Sequence, residues 1–150
     1  MRKQGFTLIE LLICVLVFII LFSVLLSVYR YCFELQETSR ITAEALSQLR
    51  TKIEEMKGTP FANIISTYNN VNVGMTGLNG RIHTEATCIF NFSGGTCGLI
   101  NIRAIAGWVQ RNSRIIGEGI LDGSGRFVFS DLNSNGILES PIELFTSVKE

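Results

Sequence analysis

Residues 4–29 contain no Lys or Arg and a single acid, Glu10, inside an otherwise apolar run that reaches Tyr29. Roughly 20 apolar residues suffice for a helix to cross a bilayer. A carboxylate placed in hydrocarbon costs a few kcal/mol, so an acid inside such a run marks function rather than packing. Arg2 and Lys3 precede the run and Arg30 follows it. The positive-inside tendency then keeps the N-terminus in the cytoplasm and sends the remainder outward.

The run opens on Gly5-Phe6-Thr7-Leu8-Ile9-Glu10, behind a short basic leader. This arrangement resembles the class III signal and N-terminal helix of type IV pilins and pseudopilins, and the recognisable part covers about residues 1–57. The resemblance implies cleavage by the prepilin peptidase between Gly5 and Phe6 and N-methylation of Phe6. It places on Glu10 the family's acid, which pairs with the positive N-terminal amine of a neighbouring subunit. Each of those charges is costly in lipid, and pairing offsets the cost. The implied partners are the prepilin peptidase, the assembly platform protein with its ATPase, other pilins or pseudopilins, and inner-membrane lipid. A minor pilin or pseudopilin is the expected subtype.

Two plainer readings compete. A secretory signal peptide needs a small-residue cleavage site after its apolar segment. The chain instead offers Leu26-Ser27-Val28-Tyr29-Arg30-Tyr31-Cys32. A plain membrane anchor of a periplasmic binding module that never polymerises fits the length but leaves the hexapeptide unexplained.

The 150 residues, less leader and long helix, leave about 90 for one small domain. The formal net charge is zero, so nothing drives the chain generally toward nucleic acid. Of four cysteines, Cys14 lies in the apolar run as a small filler, and the state of Cys32 is open. Cys88 and Cys97 sit close together in the outward part, where an oxidising compartment favours a disulfide. No second cysteine pair or histidine cluster accompanies them, which argues against zinc.

The helical pattern continues beyond the membrane. Ile41, Ala45, Leu49, Ile53 and Met56 recur at steps of four and three, with Glu37, Arg40, Glu44, Gln48, Lys52 and Glu55 between them. Gly58 and Pro60 end it. A helix over 6–57 would be about 75–80 Å long at 1.5 Å per residue. Many pilins carry a proline in the apolar half; residues 6–59 here contain none. Residues 61–80 read as a connecting loop, rich in Asn and Gly.

After residue 80 the period becomes two. Ile82, Thr84, Ala86, Cys88 and Phe90 share one face, as do Ile100, Ile102, Ala104, Ala106 and Trp108. Arg111-Asn112-Ser113-Arg114 reads as a hairpin turn, 115–121 as a returning strand, and short strands are expected at 126–129 and 142–148. The fold class is α+β: a long N-terminal helix whose apolar stripe covers one face of a small antiparallel sheet. The expected division is leader 1–5, membrane and assembly helix 6–29, amphipathic half of the same helix 30–58, and globular β domain 59–150.

Asp131, Asn133, Asn135, Ile137 and Glu139 fall at positions 1, 3, 5, 7 and 9 of a calcium-loop pattern, with Gly136 at 6. The bidentate acid expected at 12 is absent; Glu143 comes one residue late, and Pro141 excludes a following helix. The segment is therefore either a non-helical calcium loop, as some pseudopilins have near the C-terminus, or an Asn-Gly turn feeding the last strand. His83, the only histidine, is expected on an exposed strand face, and Trp108 in the core. Arg103, Arg111 and Arg114 gather near one hairpin, a small patch for DNA in a neutral domain. No arrangement of residues supports an enzyme. The chain is expected to be a structural subunit of a type IV pilus or related filament, or a type II secretion pseudopilin acting in protein export.

Overall fold

A computed structural model describes residues 7–91 and 97–149, with the side chains of Phe90 and Asn91 outside the description. The chain divides into two compact units, 1–40 and 41–150. Helix α1 (Leu8–Gly58) is 51 residues long and belongs to both. No Pro or Gly interrupts it before Gly58. In the first unit every described residue of 7–36 is exposed. Between residues 8 and 28 the hydroxyls, those of Ser23 and Ser27, donate to the Ile19 and Ser23 carbonyls at 2.8 and 3.0 Å. Both serine hydroxyls are thus satisfied within the helix, as an environment without water demands.

In the second unit the five stripe residues Ile41, Ala45, Leu49, Ile53 and Met56 are buried. They meet the even-numbered face of the sheet. Ile82, Ala104, Ala106 and Trp108 form one cluster with the first four, and Met56 joins Ala86, Ile100 and Ile102 in a second. Alanines at 45, 86, 104 and 106 let helix and sheet approach closely, while Leu49 and Trp108 fill the space between. Full burial of a side chain such as Leu49 is worth about 1.5–3 kcal/mol.

The segment expected as a loop holds two elements, α2 (Phe61–Tyr68) and β1 (Val71–Gly74). Phe61, Ile64, Ile65 and Tyr68 fall at helical spacing, a short signal hidden beside the Asn and Gly of 69–80. Tyr68 ties α2 to α1: its hydroxyl donates to Glu55 Oε1 at 3.0 Å, and Lys52 lies 5.2 Å over its ring.

The main sheet is antiparallel. β1, β2 (Gly80–Asn91), β3 (Cys97–Val109) and β4 (Ile115–Ile116) follow in order, and the last strand, β7 (Glu143–Lys149), returns to lie on β3. The expected strand over 115–121 is broken in two: Gly117 has φ 88°, and β5 (Gly119–Leu121) pairs instead with β6 (Phe127–Phe129) as a separate hairpin. That hairpin covers the sheet face opposite α1. A Cβ at Gly107 would overlap the Phe127 ring, and Asn79 Oδ1 accepts the Phe127 N–H at 3.0 Å.

This second cover corrects the expectation for His83. The residue is 2% exposed, with the Phe129 ring 5.8 Å from its own. Strand alternation does place it away from α1, as read from the sequence, but the outer face is dry there. Trp108 is core, as expected, at 2% exposure.

Candidate functional site

Thr7 caps α1 and Glu10 stands three residues on. Glu10 Oε2 accepts the Thr7 N–H at 2.9 Å and the Thr7 hydroxyl at 2.7 Å, while the Glu10 N–H lies 3.4 Å from Thr7 Oγ1. This is a reciprocal capping box, which satisfies amide donors that the first helical turn leaves without partners. The carboxylate also sits at the positive end of the helix dipole. Sequence reasoning missed this use of Glu10, although the signal was present as Thr-x-x-Glu ahead of an apolar run. Gly5 and Phe6, expected at the cleavage and methylation sites, lie outside the described residues.

From Leu8 onward the helix is long and apolar enough to cross a membrane, and none of its most apolar window is buried. Residues 1–26 match the family model of the prokaryotic N-terminal methylation motif. The chain carries a class III, pilin-type signal. A signal of this class directs processing by the prepilin peptidase and assembly with other pilins, and with the apolar helix it marks a single-pass membrane anchor. No curated protein and no solved structure matches the chain.

In the second unit, Cys88 on β2 and Cys97 on β3 form a disulfide, with Cα atoms 5.9 Å apart. Antiparallel pairing brings the two strands together, and the bond closes the end of the hairpin. Cys14 and Cys32 are free and exposed.

The 131–139 segment is an exposed loop built on its own amides. Asp131 Oδ1 and Oδ2 accept from the N–H groups of Asn135 and Gly136 at 3.3 and 2.7 Å. Asn133 Oδ1 accepts from the Asn135 N–H, and Asn135 Oδ1 from the Ile137 N–H, at 3.0 and 2.7 Å. Glu139 Oε1 takes the Asn135 side-chain amide at 3.1 Å. Glu118, which sequence reasoning did not single out, grips the loop from outside: its carboxylate accepts the N–H groups of Leu132, Asn133 and Glu139 at 2.7, 3.1 and 3.0 Å. No spacing rule reaches from residue 118 to 139, so no sequence signal was available. Glu143 is held elsewhere, by Arg103 Nη2 at 2.9 Å. Among the described residues no three His, Cys, Asp or Glu side chains gather to hold a metal ion.

Arg103 also reaches Glu85 at 3.3 Å and the Leu138 carbonyl at 2.7 Å. It is therefore a strut across β2, β3 and β7 rather than part of a phosphate-binding patch with the exposed Arg111 and Arg114. His83 joins the same row: Nε2 lies 3.2 Å from Glu85 Oε1 and Nδ1 lies 3.0 Å from Asn72 Oδ1. Burial pushes the His83 pKa below its ordinary value; Glu85 opposes that shift without overcoming it. The members of the row are spent on one another.

Proposed function

We propose that the chain is a structural subunit of a type IV pilus or a related filament, of the minor pilin or pseudopilin kind, and not an enzyme. In this reading the prepilin peptidase cuts between Gly5 and Phe6 and methylates Phe6. The N-terminus faces the cytoplasm and residues 59–150 the periplasm until the platform protein and its ATPase move the subunit into a surface or periplasmic filament. Glu10 then exchanges its Thr7 partners for the amine of a neighbouring subunit. The observation that carries the reading is the methylation motif at 1–26 running directly into an apolar helix whose lone charge is Glu10. An exposed apolar surface of this extent needs lipid or other helices to cover it, and a filament core supplies the second as the membrane supplies the first.

The test is the intact mass and N-terminal peptide mass of the protein taken from its native membrane. A start at methylated Phe6 supports the reading. An uncut Met1, or a cut beyond Tyr29, would leave an anchored or secreted domain and end it. A type II secretion pseudopilin and a pilus subunit share this start. Loss of protein export, rather than of surface filaments, in a strain lacking the chain would select the pseudopilin.

A further inference from the structure

β1 forms an open edge of the main sheet. Among the described residues it pairs only with β2, in the register Val71↔Thr84 and Val73↔Ile82. The Met75 N–H continues that register by donating to the Gly80 carbonyl at 3.0 Å. Antiparallel strands alternate the direction of their amides. Val71, Val73 and Met75 therefore spend theirs on β2, and Asn72 and Gly74 turn both N–H and C=O away from the sheet. Asn72 and Gly74 are exposed, and a Cβ at Gly74 would meet nothing within 4 Å.

Open edges are normally blunted by charge, proline or a bulge. The opposite edge, β7, carries Glu143 and Lys149. β1, Val-Asn-Val-Gly, carries no such guard. Beside it lies an open groove of about 370 Å³ between the strand and α1, with Val73 and Ile82 on the sheet side and Glu44, Lys52 and Glu55 on the helix side. One end is fixed: Gln48 accepts the Thr76 N–H at 2.9 Å and donates to the Thr76 carbonyl at 2.7 Å. Lys52 is bound to Glu55 at 2.8 Å, whereas Glu44 has no ion pair among the described residues. The groove thus offers outward backbone groups, an apolar floor and one uncompensated carboxylate.

We propose that this edge takes up an extended peptide segment of another protein chain by strand addition. The segment's backbone pairs with Asn72 and Gly74. One of its side chains rests on Val73, and a Lys or Arg two residues away faces Glu44, since side chains on one face of a strand recur every second residue. The four-residue length of β1 limits the contact to a short segment and makes it weak and exchangeable.

The test uses the full-length protein in detergent micelles and a fluorescent seven-residue peptide alternating Thr with Val and Lys, beside its counterpart with Glu in place of Lys. Gly74→Pro removes one outward N–H and leaves the β1–β2 ladder untouched, since edge strands accept proline where the amide faces solvent. Loss of one such bond should weaken the Lys peptide about 3–10-fold. Glu44→Lys should weaken it about 2–5-fold and reverse the preference toward the Glu peptide. Trp108 fluorescence confirms that both variants are folded. Equal binding of the Lys peptide by Gly74→Pro and the unaltered protein overturns the proposal. So does a Glu44→Lys variant that keeps the preference for Lys, or an unaltered protein that binds neither peptide at about 1 mM.

Discussion

Removing the Cys88–Cys97 bond gives the sharpest energetic test of the second unit. The cysteines are nine positions apart, so the bond closes a loop of about ten residues. The chain-entropy relation then gives about 2.7 kcal/mol at 25 °C for the freedom returned to the unfolded chain. The native state has little to lose besides, because β2 and β3 remain joined along a ladder from Gly80↔Trp108 to Asn91↔Cys97. The perturbation is Cys88→Ala with Cys97→Ala in the full-length chain, which leaves the free Cys14 and Cys32 in place as an internal control. Urea unfolding in micelles, followed by the single tryptophan, Trp108, reads the unit directly because that side chain is 2% exposed when folded. With m of about 1–3 kcal/mol per molar urea, the midpoint should fall by about 1–2.7 M. Adding a reductant to the unaltered protein should give the same fall and add nothing to the double variant. A midpoint within about 0.3 M of the unaltered protein would refute the reasoning, and would mean that the unfolded chain already holds this hairpin closed.

Three further outcomes follow from the geometry. Glu10→Gln keeps the capping box, which accepts Glu or Gln, and removes the charge; filament incorporation should fail with membrane insertion intact, whereas Thr7→Ala should cost the helix start about 0.5–2 kcal/mol and leave incorporation in place, both read by fractionation of membranes and sheared filaments. The folded pKa of His83 lies below its unfolded value of about 6.5, so its contribution to stability is complete above that value and is lost as pH falls through the folded one; urea midpoints should drop on the acid side of pH 6.5, and His83→Gln should remove that part of the drop. The oxygen spacing of 131–139 proposes calcium, and 1 mM calcium on a 10 μM site would add about 2.7 kcal/mol; the loop's bonds to its own amides and to Glu118 lead instead to an unmoved midpoint, and a rise would require Asp131, Asn133, Asn135 and Glu139 to turn toward an ion.

What could be read from the sequence is what a single periodicity dictates. The stripe Ile41, Ala45, Leu49, Ile53 and Met56 follows from helical geometry alone, and each of its members is buried. The alternation Ile100, Ile102, Ala104, Ala106 and Trp108 likewise placed the face that meets the helix. The Cys88–Cys97 pairing needed only proximity within one hairpin. The features that escaped depend on a second layer or on contacts between distant segments. His83 alternates as an outward residue should, and only the return of β5 and β6 over that face makes it buried. Glu118 and Glu143 acquire their partners through loops that no local rule connects. α2 was hidden because two helical turns are too short for their period to stand out against the Asn-Gly run that follows.

The same division explains the two kinds of site in this chain. The N-terminal signal is written in consecutive residues. The apolar run, the glycine ahead of it and the lone acid carry their meaning without tertiary structure. The second unit works in the opposite way. Its outer face is an interlocked row from Asn72 through His83, Glu85 and Arg103 to Glu143, in which each polar group is held by the next. That face has little free chemistry to offer a ligand. The free chemistry lies where pairing stops, at the amides of Asn72 and Gly74 and the carboxylate of Glu44. In the proposed reading, with the apolar helix committed to lipid or to other helices, the globular surface is what is left for recognition. Among the described residues, the edge of β1 is an unguarded part of that surface whose outward hydrogen bonds are unmade.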